Sequence, residues 1–118
     1  MLSCWRIFME LLYTTRDKHL IITPVGEIDH HTSLGMRQSI EKAYKRSKAV
    51  NIIFDFSRVE FMDSSGIGIL IGRYRELSKM GGKVYAINIK GEMGRIFKIS
   101  GLAKIIPCYN TLDEVFIN

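Results

Sequence analysis

The sequence predicts an α/β fold: a single domain with a mixed, mostly parallel sheet of four to five strands and about four helices. Apolar β-rich runs alternate with stretches whose apolar residues recur at helical spacing, the pattern typical of parallel crossovers. The first two β-rich runs are separated by a short polar turn, which predicts a hairpin and some antiparallel pairing. A length of 118 residues accommodates one hydrophobic core but not two.

The predicted hairpin comes first in the chain. We expect strands over residues 11–15 and 20–28, joined through Arg16-Asp17-Lys18. Pro24 has no amide hydrogen to donate to a neighbouring strand, which predicts an edge position or a bulge for that part of the second strand.

A helix and a buried strand follow. Thr32 is the predicted N-cap of a helix that runs to about Lys48, because short hydroxyl side chains accept from the free N–H groups of a first turn. Residues 50–56 form a continuous β-rich run, which is typical of a strand covered on both faces. The helix carries its apolar face at Met36, Ile40, Ala43, Tyr44 and Ser47.

The second helix is predicted over residues 65–80 and ends at Gly81-Gly82, since glycine readily terminates a helix. Glycines inside this helix are unusual, because each lowers helix stability by roughly 1 kcal/mol relative to alanine. We expect Gly72 to allow close packing inside the domain and Gly66 to allow close approach of a partner. The expected inward face consists of Ile67, Leu70, Ile71, Tyr74 and Leu77.

The C-terminal third continues the alternation of strands and helices. A strand is predicted over residues 83–88 and a helix over residues 91–100. Residues 105–106 are a candidate for a short strand. Thr111 and Glu114 have the spacing of a capping box and predict a last helix that reaches the C-terminus.

Composition narrows the class of protein. Apolar residues make up 47% and charged residues 25%, as in ordinary globular proteins. The two cysteines favour a reducing, cytoplasmic setting over a disulfide scaffold, and no membrane span is expected. The net charge of +5 includes a basic cluster at the end of the first helix, where cations complement the helix dipole. Without a zinc-finger or helix-turn-helix pattern, direct nucleic-acid binding is not expected.

The most informative run is Asp63-Ser64-Ser65-Gly66, between the buried strand and the second helix. A serine at such a junction holds its hydroxyl beside the free N–H groups of the first helical turn, where those groups and the helix dipole favour an added anion. Ser64 is therefore a candidate phosphorylation site. The simpler alternative is that Ser64 or Asp63 only caps the helix, a common role for short polar residues.

A second polar run, residues 26–32, lies between the second strand and the first helix. If the strands that precede the two polar runs are parallel neighbours, their carboxyl ends share one edge of the sheet. Glu27, Asp29 and His30 should then lie near Ser64. The histidine pair that follows Asp29 lacks a third metal ligand, so we expect turn and capping chemistry there rather than a metal site.

Two enzymatic possibilities are weak. A serine hydrolase would need Ser64, His30 and Asp29 or Asp63 to converge, but the serine lacks a G-x-S-x-G elbow and the chain is too short for a lined pocket as well as a core. The glycines match neither a phosphate-binding loop nor a dinucleotide fingerprint. No catalytic residue, cofactor or metal is therefore expected.

Three motifs in order resemble the STAS domain and, more narrowly, bacterial anti-sigma factor antagonists. The motifs are Gly26-Glu27-Ile28-Asp29-His30-His31, residues 61–68, and Gly72-Arg73-Tyr74. The resemblance covers residues 11–118, which we expect to form the domain, and leaves residues 1–10 as an N-terminal extension or a lead-in to the first strand. The histidine pair and the third motif favour the sporulation branch over the stress-response branch.

The resemblance implies a phosphorylation cycle. The unphosphorylated antagonist binds an anti-sigma factor that is also a serine kinase, which frees the sigma factor; the kinase then phosphorylates the antagonist, and a serine phosphatase reverses the modification. Carried over by position, Ser64 is the phosphoacceptor. The alternative is a ligand-sensing STAS module that binds a small anion or a nucleotide at the same helix N-terminus. The partner-binding residues implied by the resemblance are Glu27, Asp29, His30, Asp63, Ser65, Gly66 and Ile67.

Overall fold

The structure, a computed structural model that describes residues 10–117, is a five-stranded sheet with helices on both faces. Residues 1–9 lie outside the described part, and with them almost all of the expected extension at residues 1–10. No helix of the described part is long and apolar enough to cross a membrane. The elements are β1 (Glu10–Arg16), β2 (His19–Val25), α1 (Ser33–Ser47), β3 (Asn51–Asp55), α2 (Ser64–Lys79), β4 (Val84–Ile87), α3 (Glu92–Ser100), α4 (Leu102–Ile105), β5 (Cys108–Tyr109) and α5 (Leu112–Ile117).

The strands lie in the sheet in the order in which they occur in the chain, from β1 to β5. β1 and β2 are antiparallel, and every other neighbouring pair is parallel. The crossovers between parallel strands are α1, α2 and the pair α3 and α4. The predicted mixed, mostly parallel sheet is therefore confirmed with five strands, and the described part of the chain has five helices rather than about four.

The β1–β2 hairpin turns at two residues. Asp17 and Lys18 have φ angles of 47° and 67°, and two successive left-handed residues match the twist of a tight hairpin. Pro24 is not in a bulge, because β1 pairs with β2 continuously. The expected edge position holds only on the side of β2 that faces β3. Ile22 is the last residue of β2 that pairs with β3, so Pro24 lies beyond that ladder.

Alternate residues of the strands face opposite sides of the sheet. On one side of the sheet, Ile21, Ile53 and Ile87 pack against Val115 of α5. This small cluster is the second core, and the main core lies on the other side. Because both faces are covered, the central strands are apolar throughout, as expected of a parallel sheet. The strand residues that pack with α1 to α4 in the main core include Leu20, Ile22, Ile52, Phe54, Val84 and Ala86.

The hairpin also contacts the last helix. The Arg16 guanidinium lies 4.1 Å from the ring centre of Phe116 and 3.6 Å from the Asp113 carboxylate. The His19 ring packs edge-on against the same phenyl ring, with the ring centres 4.8 Å apart. These contacts join the two ends of the described chain beside the second core.

The buried face of α2 differs from the predicted one. Leu70 and Leu77 are buried as expected, but Ile69 and Arg73 are buried as well. Ile69, Arg73 and Leu77 are spaced by four residues and form one row along the helix. This row is buried because α2 packs against α1 as well as against the sheet. The residues that remain only half-buried are Ile67, Ile71 and Tyr74.

Arg73 is held by an ion pair between the two helices. Its Nη2 donates to the Glu41 carboxylate of α1 at 3.0 Å, and the arginine is only 9% exposed. Its Nε is buried and has no hydrogen-bond partner in the described residues. Because a guanidinium stays charged when buried, Glu41 supplies the charge that offsets the desolvation of Arg73.

The C-terminal elements differ from prediction in one place. Residues 105–106 do not form a strand, because the Ile106 N–H donates to the Leu102 carbonyl at 2.8 Å and completes a helical turn. The last strand is β5 instead. The predicted start of the last helix is confirmed, since Thr111 Oγ1 accepts from the Glu114 N–H at 3.3 Å.

Replacement of Glu41 by alanine should destabilise the domain. The Arg73 charge would stay buried without its carboxylate, and a lost hydrogen bond of this charged kind costs about 2 kcal/mol. Urea denaturation should show a correspondingly lower free energy of unfolding. Glu76→Ala is the control, because Glu76 pairs with the exposed Lys79 and surface pairs contribute little. Equal losses in the two variants would contradict this account of the ion pair.

Candidate functional site

Two polar loops meet at the edge of the sheet where β2 and β3 end. The Ile28 N–H donates to the Phe61 carbonyl at 3.1 Å, and the Asp63 N–H donates to the Ile28 carbonyl at 3.0 Å. Ile28 and Met62 thereby form a parallel bridge, and both side chains are buried. The prediction that residues 26–32 lie beside the start of α2 is confirmed.

Ser64 is the first residue of α2, and its side chain is exposed. Its hydroxyl has no hydrogen-bond partner in the described part of the chain. Asp63 caps the helix, because its carboxylate accepts from the Ser65 N–H at 2.8 Å and its carbonyl accepts from the Gly66 N–H at 3.0 Å. With capping assigned to Asp63, the Ser64 hydroxyl stands unengaged at the positive end of the helix dipole.

The Asp63 carboxylate also faces a histidine. Its second oxygen lies 3.9 Å from Nδ1 of His30, an ion pair only when the imidazole is protonated. The His30 and His31 rings lie with their centres 4.0 Å apart. No group of three or more potential metal ligands from His, Cys, Asp or Glu occurs within residues 10–117.

Asp29, rather than Thr32, accepts the hydrogen bonds at the entry to α1. Its carboxylate accepts from the His31 N–H at 2.9 Å and the Thr32 N–H at 3.1 Å. Thr32 stands at the predicted N-cap position but makes no capping bond, because its hydroxyl turns back to the Asp29 carbonyl. Burial acts to raise the pKa of Asp29, but the hydrogen bonds from Thr32 and His31 outweigh it and hold the pKa below its ordinary value of 3.8.

Three further predicted site residues differ in how far their side chains are exposed. Glu27 is exposed and lines a cleft with Arg58 on the same edge of the sheet. Ser65 is half-buried, and its N–H is the one held by Asp63. Ile67 is half-buried and packs against the main core.

Gly66 allows close packing inside the domain. The expectation that this glycine allows close approach of a partner is therefore corrected. A Cβ at this position would lie 2.9 Å from both Ile28 Cγ2 and Met62 Cβ. The glycine is buried and makes room for the paired loops. At Gly72, where the sequence predicts close internal packing, an added Cβ would meet no atom within 4 Å.

The partner-binding residues predicted from the sequence do not include two exposed apolar side chains near Ser64. Phe61 is 41% exposed, and Leu34 at the start of α1 is 59% exposed. Leu34 lines a small cleft together with Ser65. The exposure of Phe61 follows from the burial of its neighbour Met62, because successive residues of an extended segment point to opposite sides.

Comparison with known proteins identifies the family. Residues 10–115 match the STAS domain. The chain belongs to the STAS family. This STAS domain is 36% identical to the anti-sigma F factor antagonist of Paenibacillus polymyxa over 100 residues, which cover 81% of this chain and 86% of the relative.

Two solved structures extend the comparison. The unphosphorylated form of the anti-sigma factor antagonist SpoIIAA matches this STAS domain with a TM-score of 0.69 and 31% identity, over 92% of this chain and 94% of that one. The phosphorylated form of the Bacillus cell fate determinant SpoIIAA matches with a TM-score of 0.67 and 34% identity, over 92% of this chain and 96% of that one.

Gly66→Ala should destabilise this STAS domain, whereas Gly68→Ala should not. The added methyl group at Gly66 would overlap Ile28 and Met62, and overpacking of this kind costs about 1–3 kcal/mol. At Gly68 the methyl group meets no atom within 4 Å, so the higher helix propensity of alanine should add up to roughly 1 kcal/mol. Chemical denaturation of both variants measures the contrast. A stable Gly66→Ala variant would show that the loops do not need this space.

Asp29→Ala should reduce the loss of stability in acid. Because the folded-state pKa of Asp29 is below the unfolded value, its contribution is fully present above pH 3.8 and is lost as the pH falls through the lowered pKa. The wild type should therefore be more stable than the variant at neutral pH, and the difference should shrink below pH 3.8. Free energies of unfolding of the wild type and of Asp29→Ala, measured across this pH range, test the prediction. A stability difference that does not depend on pH would contradict it.

Proposed function

We propose that this STAS domain is an anti-sigma factor antagonist that acts by binding and is switched by phosphorylation of Ser64. In the proposed cycle, the unphosphorylated protein binds an anti-sigma factor with serine kinase activity and so frees the sigma factor. The kinase then phosphorylates Ser64, the complex separates, and a serine phosphatase restores the starting form. The exposed and unengaged Ser64 hydroxyl at the start of α2 carries this proposal.

The relatives support a binding regulator. Their names include an anti-sigma F factor antagonist at 36% identity and SpoIIAA in both its unphosphorylated and its phosphorylated form. This STAS domain matches the two forms to nearly the same extent, which supports a switch at the surface rather than a change of fold. A role in transcription control also supports a cytoplasmic location.

Phosphorylation would act through charge and bulk. A phosphate group adds about −1.5 to −2 charges and three acceptor oxygens. The helix dipole at the start of α2 would stabilise this charge in the free protein. The adjacent Asp63 carboxylate would concentrate negative charge at the same place. A partner that approaches Ser64 closely would therefore lose affinity through steric overlap and through the cost of burying two adjacent negative charges.

The proposed docking surface is the edge of the sheet around Ser64. Phe61 and Leu34 add exposed apolar area to it, and aromatic residues are enriched in the centres of protein interfaces. Gly66 contributes indirectly, because it allows the two loops to pair. The side chains proposed to contact the anti-sigma factor are Glu27, Asp29, His30, Asp63, Ser65 and Ile67.

Incubation with the cognate anti-sigma factor and ATP should add one phosphate to the protein, at Ser64. Intact-mass analysis of the wild type should show the added phosphate, and Ser64→Ala should remain unmodified. Ser57→Ala is the matched control and should still be modified, because Ser57 is an exposed serine that is not among the proposed contact residues. Nucleotide retained without phosphate transfer would favour the ligand-sensing alternative over the switch.

Ser64→Asp should bind the anti-sigma factor more weakly than the wild type, and Ser64→Ala should bind about as well. The added carboxylate places a second negative charge beside Asp63 on the proposed docking surface, and burial of a charge at an interface without a counter-charge is costly. Isothermal titration of the purified proteins measures both affinities. Wild-type affinity in the Ser64→Asp variant would rule out exclusion by charge.

A further inference from the structure

A groove runs between α1 and α2, away from the phosphoacceptor. Two adjoining clefts of about 360 and 720 Å³ share Arg37, Gly68 and Ile69 in their linings. The first cleft contains Ser65, and the second reaches Lys79. Helix α2 rises about 21 Å between these residues, which is the length of about six residues of extended chain.

Two glycines of α2 keep the groove open. A Cβ added at Gly68 or Gly72 would meet no atom within 4 Å, so internal packing does not explain either glycine. Each glycine makes the helix less stable than alanine would. The space above them is available to a group from outside the domain.

The groove has an excess of positive charge. Four cationic and two anionic side chains line the larger cleft, and both anionic residues are already engaged in ion pairs. Arg37 and Arg75 form no ion pair within residues 10–117. Arg73 in the groove wall retains a buried Nε donor without an acceptor. Buried donors of this kind are rare in folded proteins, and a turn of the Arg73 guanidinium towards a bound acceptor would remove the cost.

We propose that this groove binds an acidic, extended segment of the anti-sigma factor, with a carboxylate of that segment held by Arg37 and Arg73. The identity of the partner rests on the proposed function. The length of the groove favours an extended chain over a compact anion, and its charge favours acidic side chains. Because the groove begins at Ser65, a phosphate on Ser64 would place negative charge at its mouth and repel the same segment.

The test fills the groove or reverses its charge. Gly72→Gln places a side chain in the groove, and Arg37→Glu reverses a charge in its lining. Gly35→Gln is the matched control: Gly35 is an exposed glycine of α1 outside both clefts, and an added Cβ there also meets no atom within 4 Å. Both glutamine variants should unfold at a higher temperature than the wild type, because glycine is replaced in a helix.

Binding of the anti-sigma factor should be about tenfold weaker in Gly72→Gln and in Arg37→Glu, the effect of one lost charge-assisted hydrogen bond, and unchanged in Gly35→Gln. If the wild type binds the anti-sigma factor and both groove variants bind as tightly, the groove proposal is overturned while the proposed function stands. If the wild type does not bind the anti-sigma factor, the proposed function fails, and a second measurement decides the groove alone.

That measurement is a titration of isotope-labelled protein with a short oligoglutamate peptide. Shifts of the Gly68 and Gly72 amide signals that Arg37→Glu abolishes would support an acidic-peptide site. Absence of such shifts would overturn it. The same shifts with inorganic phosphate would indicate a small-anion site, and a dimer that Gly72→Gln dissociates would indicate a second copy of the chain; either result would also overturn the proposal.

Discussion

The backbone hydrogen bonds between the two loops hold the functional edge of this STAS domain together. Ile28 donates to one residue of the facing loop and accepts from another, so one residue sets the separation between Asp29 and Asp63. The pairing is possible only because Gly66 leaves room for Ile28 and for Met62. The proposed docking surface and the start of α2 are therefore joined by hydrogen bonds, and we expect a change in either loop to affect both.

Asp63 links local structure to the proposed switch. Its carboxylate holds the Ser65 N–H and so fixes where α2 begins, which leaves the Ser64 hydroxyl without a structural task. The same carboxylate places a negative charge next to Ser64, the proposed phosphoacceptor. Under the proposed switch, Asp63 would keep the Ser64 hydroxyl available and would oppose close contact with a partner once a phosphate is added, whereas the helix dipole would stabilise that phosphate in the free domain.

Sequence reasoning succeeds where short-range patterns decide the structure. The strand and helix order follows from periodicity, and the meeting of the two loops follows from parallel topology alone. The rotation of α2 depends instead on Arg73 and Glu41, which are 32 residues apart and pair only when the helices are packed. The expectations for Gly66 and Gly72 fail for the same reason, because only tertiary packing shows that Gly66 has close neighbours and that an added Cβ at Gly72 has none within 4 Å.

The contact between the first hairpin and the last helix has a consequence for synthesis of the chain. Arg16 and His19 meet Phe116, and α5 covers isoleucines that belong to strands made much earlier. On the ribosome, those strands emerge long before their cover, because domains are made from the N-terminus. We therefore expect the second face of the sheet to stay open to chaperones and to other nascent chains until translation reaches α5.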